Sequence, residues 1–207
     1  MIDQTLIGLL VRANELRRQG DYSAALALYL ELLDRFREST NLLADLLAEI
    51  ASCYNALNRF DEAVAWVERA IALAPNDARW HADLAEYHWL GTLDYEQAAR
   101  EFRKAIELNP NDARVLSNAA ALYIVPEGVV TLEEAINWLE RAVQLEPNNP
   151  RYHARLGEYY YKAGQIEDAK RAWVISLLCG PPLEPGYAQM IEVTLGTDSD
   201  QILSRAR

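Results

Sequence analysis

The decapeptide Ala70-Ile-Ala-Leu-Ala-Pro-Asn-Asp-Ala-Arg79 returns as Ala105-Ile-Glu-Leu-Asn-Pro-Asn-Asp-Ala-Arg114 and, more loosely, as Ala142-Val-Gln-Leu-Glu-Pro-Asn-Asn-Pro-Arg151. The copies lie about 35 residues apart, a period that marks a repeat array rather than chance composition. Each copy reads as the end of one helix, a stop, and the start of the next. Proline cannot continue a helix and biases the residue before it out of helical geometry. The Asn or Asp that follows offers a side-chain oxygen to an orphan amide of the next helix.

Working outward from the phrase, the chain divides into five units, at about 6–39, 44–77, 78–112, 113–149 and 150–183. Each predicts two amphipathic helices, A and B, with apolar residues at helical spacing. The eighth residue of each unit is small: Ala13, Ala51, Ala85, Ala120 and Gly157. Early in helix B comes a second small residue: Ala25, Ala63, Ala98, Ala135 and Ala169. Small side chains let two antiparallel helices approach closely, so matched small positions define one packing geometry used repeatedly. Larger residues fill the space between: Tyr29, Val67, Phe102, Leu139 and Trp173 in helix B.

These slots resemble the tetratricopeptide repeat, a unit of about 34 residues with this pattern of small and aromatic positions. The resemblance covers roughly residues 6–183 and is strongest at 44–77 and 78–112. It implies an all-α, right-handed α-solenoid of five helix-turn-helix repeats with a C-terminal capping helix. Residues 1–183 are then expected to form one solenoid domain, with 184–207 as capping helix and tail; the apolar face at 187–195 would cover the end of the stack. Departures from the pattern are local. Arg37 stands where the first unit should have its proline, and the extra Thr40-Asn-Leu-Leu43 predicts a long second helix there. The third unit has one extra residue near Gly91-Thr-Leu-Asp94, and the fourth has three at Pro126-Glu-Gly-Val129. Asp94-Tyr-Glu-Gln97 and Thr131-Leu-Glu-Glu134 carry the capping-box pattern that restarts a helix.

The composition is that of a folded chain: 207 residues, 51% hydrophobic and 25% charged, with a net charge of -11. Such an acidic balance argues against nucleic-acid or anionic-membrane partners, which need basic footprints. No stretch approaches the ~20 apolar residues required to span a bilayer. The apolar start lacks a basic leader and a small-residue cleavage site, so a cytoplasmic protein is expected. Cys53 and Cys179 both fall within helical patterns and read as small buried hydrophobes in a reducing compartment.

No metal or catalytic constellation is expected, and no cofactor. His81 and His88 lie seven apart, but His81 and His153 share the slot of Leu9, Leu47 and Leu116, which points to packing. There is no His-x-x-x-His or Cys-x-x-Cys spacing, phosphate-cradling glycine loop or Gly-x-Ser-x-Gly elbow.

The resemblance implies that residues two, five, six, nine and twelve of each unit line a concave groove. Slot five is small through most of the array: Ala48, Ala82, Ser117 and Ala154. Slot two holds Asp45, Arg79, Arg114 and Arg151; slot six holds Glu49, Asp83, Asn118 and Arg155. The groove is therefore expected to be acidic around the second and third units and basic toward the fifth. Trp89 and Tyr161, late in helix A, reach the same face. Some tetratricopeptide co-chaperones clamp a C-terminal carboxylate with lysine, asparagine and basic residues from three successive repeats. Asn118, Arg151 and Arg155 match its second and third parts, whereas Ala82 and Glu86 stand where its first lysine and asparagine belong. Glu86 would repel a carboxylate, so the resemblance implies only a half site, in which arginine pairs an anion through two parallel bonds.

The expected function is therefore a non-enzymatic adaptor that holds a peptide or helix of a partner protein, with an acidic segment or C-terminal carboxylate, in the groove. The candidate binding residues are Arg79, Trp89, Arg114, Asn118, Arg151, Arg155 and Tyr161. The rival is an assembly module forming a homodimer through the apolar stripe Leu6, Ile7, Leu9, Leu10 and Val11 or through the C-terminal helix.

Overall fold

A computed structural model describes residues 4–35 and 40–180. Every regular element among them is helical: α1 (Gln4–Arg18), α2 (Tyr22–Arg35), α3 (Thr40–Ala56), α4 (Phe60–Leu73), α5 (Ala78–Tyr87), α6 (Tyr95–Leu108), α7 (Ala113–Ala121), α8 (Leu132–Leu145), α9 (Pro150–Lys162) and α10 (Ile166–Cys179). The chain forms two compact units, Met1–Asn109 and Pro110–Arg207. In the first, α1 pairs with α2, α3 with α4 and α5 with α6, and the pairs join through α2–α3 and α4–α5 contacts. In the second, α7 pairs with α8 and α9 with α10, joined through α8 and α9. These are the helical hairpins that the repeat pattern predicts. The capping helix expected at 187–195 and the tail after it lie outside the described residues.

The repeated phrase works as a seam. Asp77, Asp112 and Asn149 each cap the helix they precede, accepting from the amides of Arg79 (3.0 Å), Val115 (3.0 Å) and Arg151 (3.1 Å). Asp94 and Thr131 cap α6 and α8 through the amides of Gln97 and Glu134. The proline carbonyls are sealed as well. His81 and His153 place Nε2 on Pro75 and Pro147 at 3.0 and 2.8 Å. Leu116 fills that slot in the fourth repeat, and Arg141 donates to the Pro110 carbonyl instead, at 2.7 Å.

All ten small-slot residues are buried, the nine alanines completely. So are Tyr29, Val67, Phe102, Leu139 and Trp173, at 0% exposure each. Burial of one such side chain contributes on the order of 2–3 kcal/mol, so the hairpin interiors carry the stability. The fifth repeat shows why the slots are coupled. It has the largest helix B residue, Trp173, and the smallest slot-eight residue, Gly157; a Cβ on Gly157 would overlap the indole. Trp173 Nε1 also donates to the Ala154 carbonyl at 3.1 Å, which fixes the ring.

Turns within repeats share one backbone requirement. Gly20, Asn58, Leu93 and Gly164 all adopt left-handed φ, at 84°, 57°, 60° and 76°. In the first, second and fifth repeats this residue closes a Schellman motif: the amide after it reaches back five residues, as Asp21 to Leu16, Arg59 to Tyr54 and Gln165 to Tyr160. The one-residue insertion of the third repeat is absorbed differently. His88–Thr92 forms a π-helical turn, in which one extra residue is looped into the helix. Gly91 lies in that turn against Phe60 of α4, where a Cβ would come within 2.5 Å of the ring. The three extra residues of the fourth repeat follow a 3-10 turn, Leu122–Ile124.

One expectation requires correction, and another lies partly outside the described residues. The extra residues at 40–43 belong to α3 (Thr40–Ala56), whereas the end of the long second helix expected before them falls on 36–39, outside the described residues. Half-buried Leu43 and buried Ala44 and Leu47 continue the apolar spacing of α3, which is why the added residues join that helix. Cys53 is a buried hydrophobe as expected, whereas Cys179 is only partly buried; both are free thiols.

Replacing Gly157 with Ala should destabilise the protein by about 1–3 kcal/mol through overpacking. Gly157→Ala/Trp173→Leu recreates the Ala120/Leu139 pairing of the fourth repeat; urea unfolding should show it less destabilised than the two single changes sum to. Leu93 is exposed and holds a conformation that disfavours a Cβ. Leu93→Asn should therefore raise stability by about 0.5–1 kcal/mol in the same measurement.

Candidate binding surface

The A helices of each unit present three parallel rows. Slot five is a floor: Ala48, Ala82, Ser117 and Ala154 are all at most 8% exposed. Beside it, slot two is solvent-facing at Asp45, Arg79, Arg114 and Arg151, and slot six is half-buried at Glu49, Asp83, Asn118 and Arg155. Polar side chains thus flank a floor of small, buried residues.

In the unit Met1–Asn109, these rows are dominated by acids. Glu49 pairs with Arg17 at 2.9 Å, an ion pair without the alignment of a hydrogen bond. Asp45 accepts from Arg79 at 3.2 Å. Burial raises the Glu49 carboxyl, opposed by Arg17 and reinforced by Asp45. Burial and Glu49 push the Cys53 thiol up to about 11, against the pull of Arg17. Burial followed by Asp83, Glu86 and Glu49 raises the Tyr87 phenol far above its ordinary range. Tyr29, whose hydroxyl donates to Asn14 Oδ1 at 2.6 Å, is raised by burial and Glu49 and lowered by Arg17. Next to this charge lies an apolar hollow of about 310 Å³ between α1, α2 and α3. Leu6, Ile7, Leu10, Leu32, Leu42 and Leu46 line it, with Asn14, Asp45 and Glu49 at its polar side.

In the unit Pro110–Arg207, the same rows turn basic. Arg155 crosses from α9 to α7 and donates through Nη1 to the Ser117 carbonyl (2.8 Å) and hydroxyl (3.0 Å). Tyr159 makes a parallel bridge to the Ala120 carbonyl at 3.1 Å. Arg114 and Arg151 stand exposed in the first turns of α7 and α9.

The structure gives the seven candidate residues different surroundings. Arg79 is bound into its own cap, donating to Asp77 at 3.0 and 2.6 Å as well as to Asp45, so its cap acid offsets a cation at a helix N-terminus. Trp89 meets Phe102 edge-on at 6.3 Å, and Tyr161 leans on Trp173 at 5.8 Å. Both pack on the large helix B residue of their own repeat, though Tyr161 stays 46% exposed. Arg114, Asn118, Arg151 and Arg155 share one unit and one face, and Arg155 also ties two helices together. The histidines are engaged: His81 Nδ1 lies 2.7 Å from Glu101 and His88 Nδ1 3.0 Å from the Thr92 hydroxyl. Among the described residues no group of three His, Cys, Asp or Glu side chains converges as a metal site, and no helix is long and apolar enough to cross a membrane.

Sequence reasoning noticed the apolar start at 6–11 and missed the hollow. Its signal was present: slots two and five of the first unit are Ile7 and Leu10, where later units carry charged and small residues.

The raised thiol and phenols fix a pH dependence. Cys53 binds its proton more tightly folded, with about 11 against an ordinary 9.0, and Tyr29 and Tyr87 move in the same sense from 10.0. Stability from these groups is complete below pH 9.0 and is lost as pH climbs through the folded values. Thermal unfolding midpoints should fall steadily above pH 9.0, with a shallower fall for Cys53→Ala.

Three family models match the chain: a tetratricopeptide repeat over residues 16–87, a TPR repeat over 131–164 and a further tetratricopeptide repeat over 93–112. No curated protein matches it. Among solved structures, it resembles PilF of Pseudomonas aeruginosa with a TM-score of 0.78 at 17% identity, over 98% of this chain and 89% of that one. It resembles MamA of Desulfovibrio magneticus RS-1 with a TM-score of 0.72 at 18% identity, over 86% of this chain and 97% of that one. An RS-1 MamA double mutant gives 0.73 at 19%, over 86% and 96%. At such identities the likeness is one of fold. The repeat models together cover more than half of the sequence, the described helices pair as the models require, and the chain belongs to the tetratricopeptide repeat family.

Proposed function

We propose that this chain is a non-enzymatic adaptor whose helix A faces hold a peptide or helix of a partner protein. A protein-interaction scaffold is the general role of the family, and the finer reading rests on one observation. The slots that build the hairpins barely vary, whereas the slots beside the floor shift from acidic to basic along the chain: Asp45, then Arg79, Arg114 and Arg151 in slot two, and Glu49, Asp83, Asn118 and Arg155 in slot six. Packing does not require such variation; recognition of a particular segment does. In the unit Pro110–Arg207, exposed Arg114 and Arg151 beside Asn118 favour a segment carrying acidic residues or a terminal carboxylate. A charged hydrogen bond of that kind is stronger than a neutral one. The face is preformed, so binding costs little receptor ordering.

A second reading is self-association through the N-terminal helix. Ile7 and Val11 of α1 are 49% and 51% exposed, one helical turn apart on the same helix.

The test is site-specific crosslinking. A photoreactive amino acid at Arg114 or Arg151 should capture a defined partner, and the same group at Glu133 or Asn137, exposed on the helix B side of the same unit, should not. Capture from the helix B positions alone would overturn the assignment of the face. Crosslinks only between copies of the chain would favour the second reading.

A further inference from the structure

Resting on the adaptor reading and deepening it, we infer that Arg151 is the anion anchor of the A-helix face in the unit Pro110–Arg207. The segment it holds carries an acidic residue and, about four or five residues away along an extended backbone, a large apolar side chain that covers Tyr161 of the same helix.

The three arginines that close the repeated phrase are not equivalent. Asp77 caps α5 and takes the Arg79 side chain at 3.0 and 2.6 Å, and Asp45, in slot two of the preceding repeat, takes it at 3.2 Å. Arg114 also follows an acidic cap, Asp112. Arg151 has neither kind of counter-charge. Its cap is the neutral Asn149, which accepts from the Arg151 amide, and slot two of the preceding repeat holds Arg114, a like charge. Glu146 of the same seam is taken by Asn149 Nδ2 at 3.0 Å. Among the described residues, the exposed Arg151 guanidinium enters no ion pair. A cation in the first turn of a helix is opposed by the helix dipole. Helix stability therefore does not account for arginine at this position; an anion supplied from outside does, held through two parallel bonds.

The same helix face ends in exposed apolar surface. Slot twelve, late in helix A, holds Arg17 and Asn55 in the first two repeats, so the hairpin accepts polar residues there. In the unit Pro110–Arg207 it holds Ile124, 63% exposed at the end of the 3-10 turn, and Tyr161, which rests on Trp173 with nearly half of its surface open. Arg151, Ala154, Glu158 and Tyr161 follow one another at helical spacing along one face of α9. Ala154 between the two ends is small and buried, and Glu158, the one acid of α9, is paired with Lys162 at 2.7 Å. Ten residues of helix separate Arg151 from Tyr161 by about 15 Å along the axis. An extended segment rises about 3.3 Å per residue and covers that distance in about four or five residues. The charged end sets orientation, and the apolar end adds buried area that a carboxylate alone would not.

The experiment selects random twelve-residue peptides displayed on phage against the full chain, then measures one enriched peptide, synthesised with fluorescein, on wild type, Arg151→Glu, Tyr161→Ala and Arg171→Glu. All three side chains are exposed, and circular dichroism checks that each variant is folded. Arg171→Glu makes the same charge change as Arg151→Glu, on helix B of the same repeat. The enriched peptides should share Asp or Glu and a large apolar residue at the stated spacing. Arg151→Glu and Tyr161→Ala should each weaken binding at least about tenfold, and Arg171→Glu should leave it unchanged. Selection repeated on Arg151→Glu should exchange the acidic residue for Lys or Arg and retain the apolar one, which a merely structural role for Arg151 would not produce. Acidic peptides weakened by Arg151→Glu and indifferent to Tyr161→Ala would overturn the two-point inference and leave the adaptor reading standing. An equal loss in Arg171→Glu would reduce the effect to net charge and overturn the anchor. Peptides indifferent to all three variants, or none enriched, would overturn the inference and the adaptor reading together.

Discussion

The contact on which the structure depends is the close approach of helix A to helix B at two small residues. Ala13 with Ala25, Ala51 with Ala63, Ala85 with Ala98, Ala120 with Ala135 and Gly157 with Ala169 are the matched positions, all buried. With the backbones held this near, the remaining interior must accommodate one larger helix B residue, and that residue decides how small slot eight can be. Leu139 leaves room for Ala120; Trp173 leaves room only for Gly157. The pattern is one of complementary volume, in line with the crystal-like packing of protein interiors.

Because the interior is settled by few positions, the chain tolerates irregularity at its turns and variety on its face. The third repeat takes an extra residue as a π-helical turn and still delivers α6 to its place, with Asp94 capping it. The fourth takes three, through a 3-10 turn, and restarts at Thr131. On the A-helix face, neighbouring repeats differ in sign without disturbing the hairpins. The charges are still constrained by one another: Arg79 answers Asp77 and Asp45, and Arg17 answers Glu49. Chemistry on this face therefore belongs to groups of residues, and a single arginine is a poor guide to what it holds.

Arg155 illustrates the point. By slot it is expected in the groove; by geometry it seals the Ser117 carbonyl on the neighbouring A helix. A residue of this kind positions the face and contributes to it at once. His81 and His153 are comparable at the seam, where each joins a helix to the carbonyl of the preceding proline. Their slot alone suggested packing, and a buried ring is what packing predicts; the hydrogen bonds explain why histidine serves there.

What the sequence determined by itself is the hairpin: its period, its caps, its small slots and the residues that fill it, because these are local rules of helix formation and of volume repeated at fixed spacing. Asp77, Asp112 and Asn149 could be read as caps before any coordinates, and they are. The rows beside the floor were also legible as rows. Tertiary structure alone decided how they are used. It put the residues at 40–43 into α3, turned the insertion near Gly91 into a π-helical turn against Phe60, bound Arg79 to its own cap, and opened a hollow beside Ile7 and Leu42. The reason is physical: capping and periodicity act within a few residues, whereas ion pairing and concavity arise from atoms that only folding brings together.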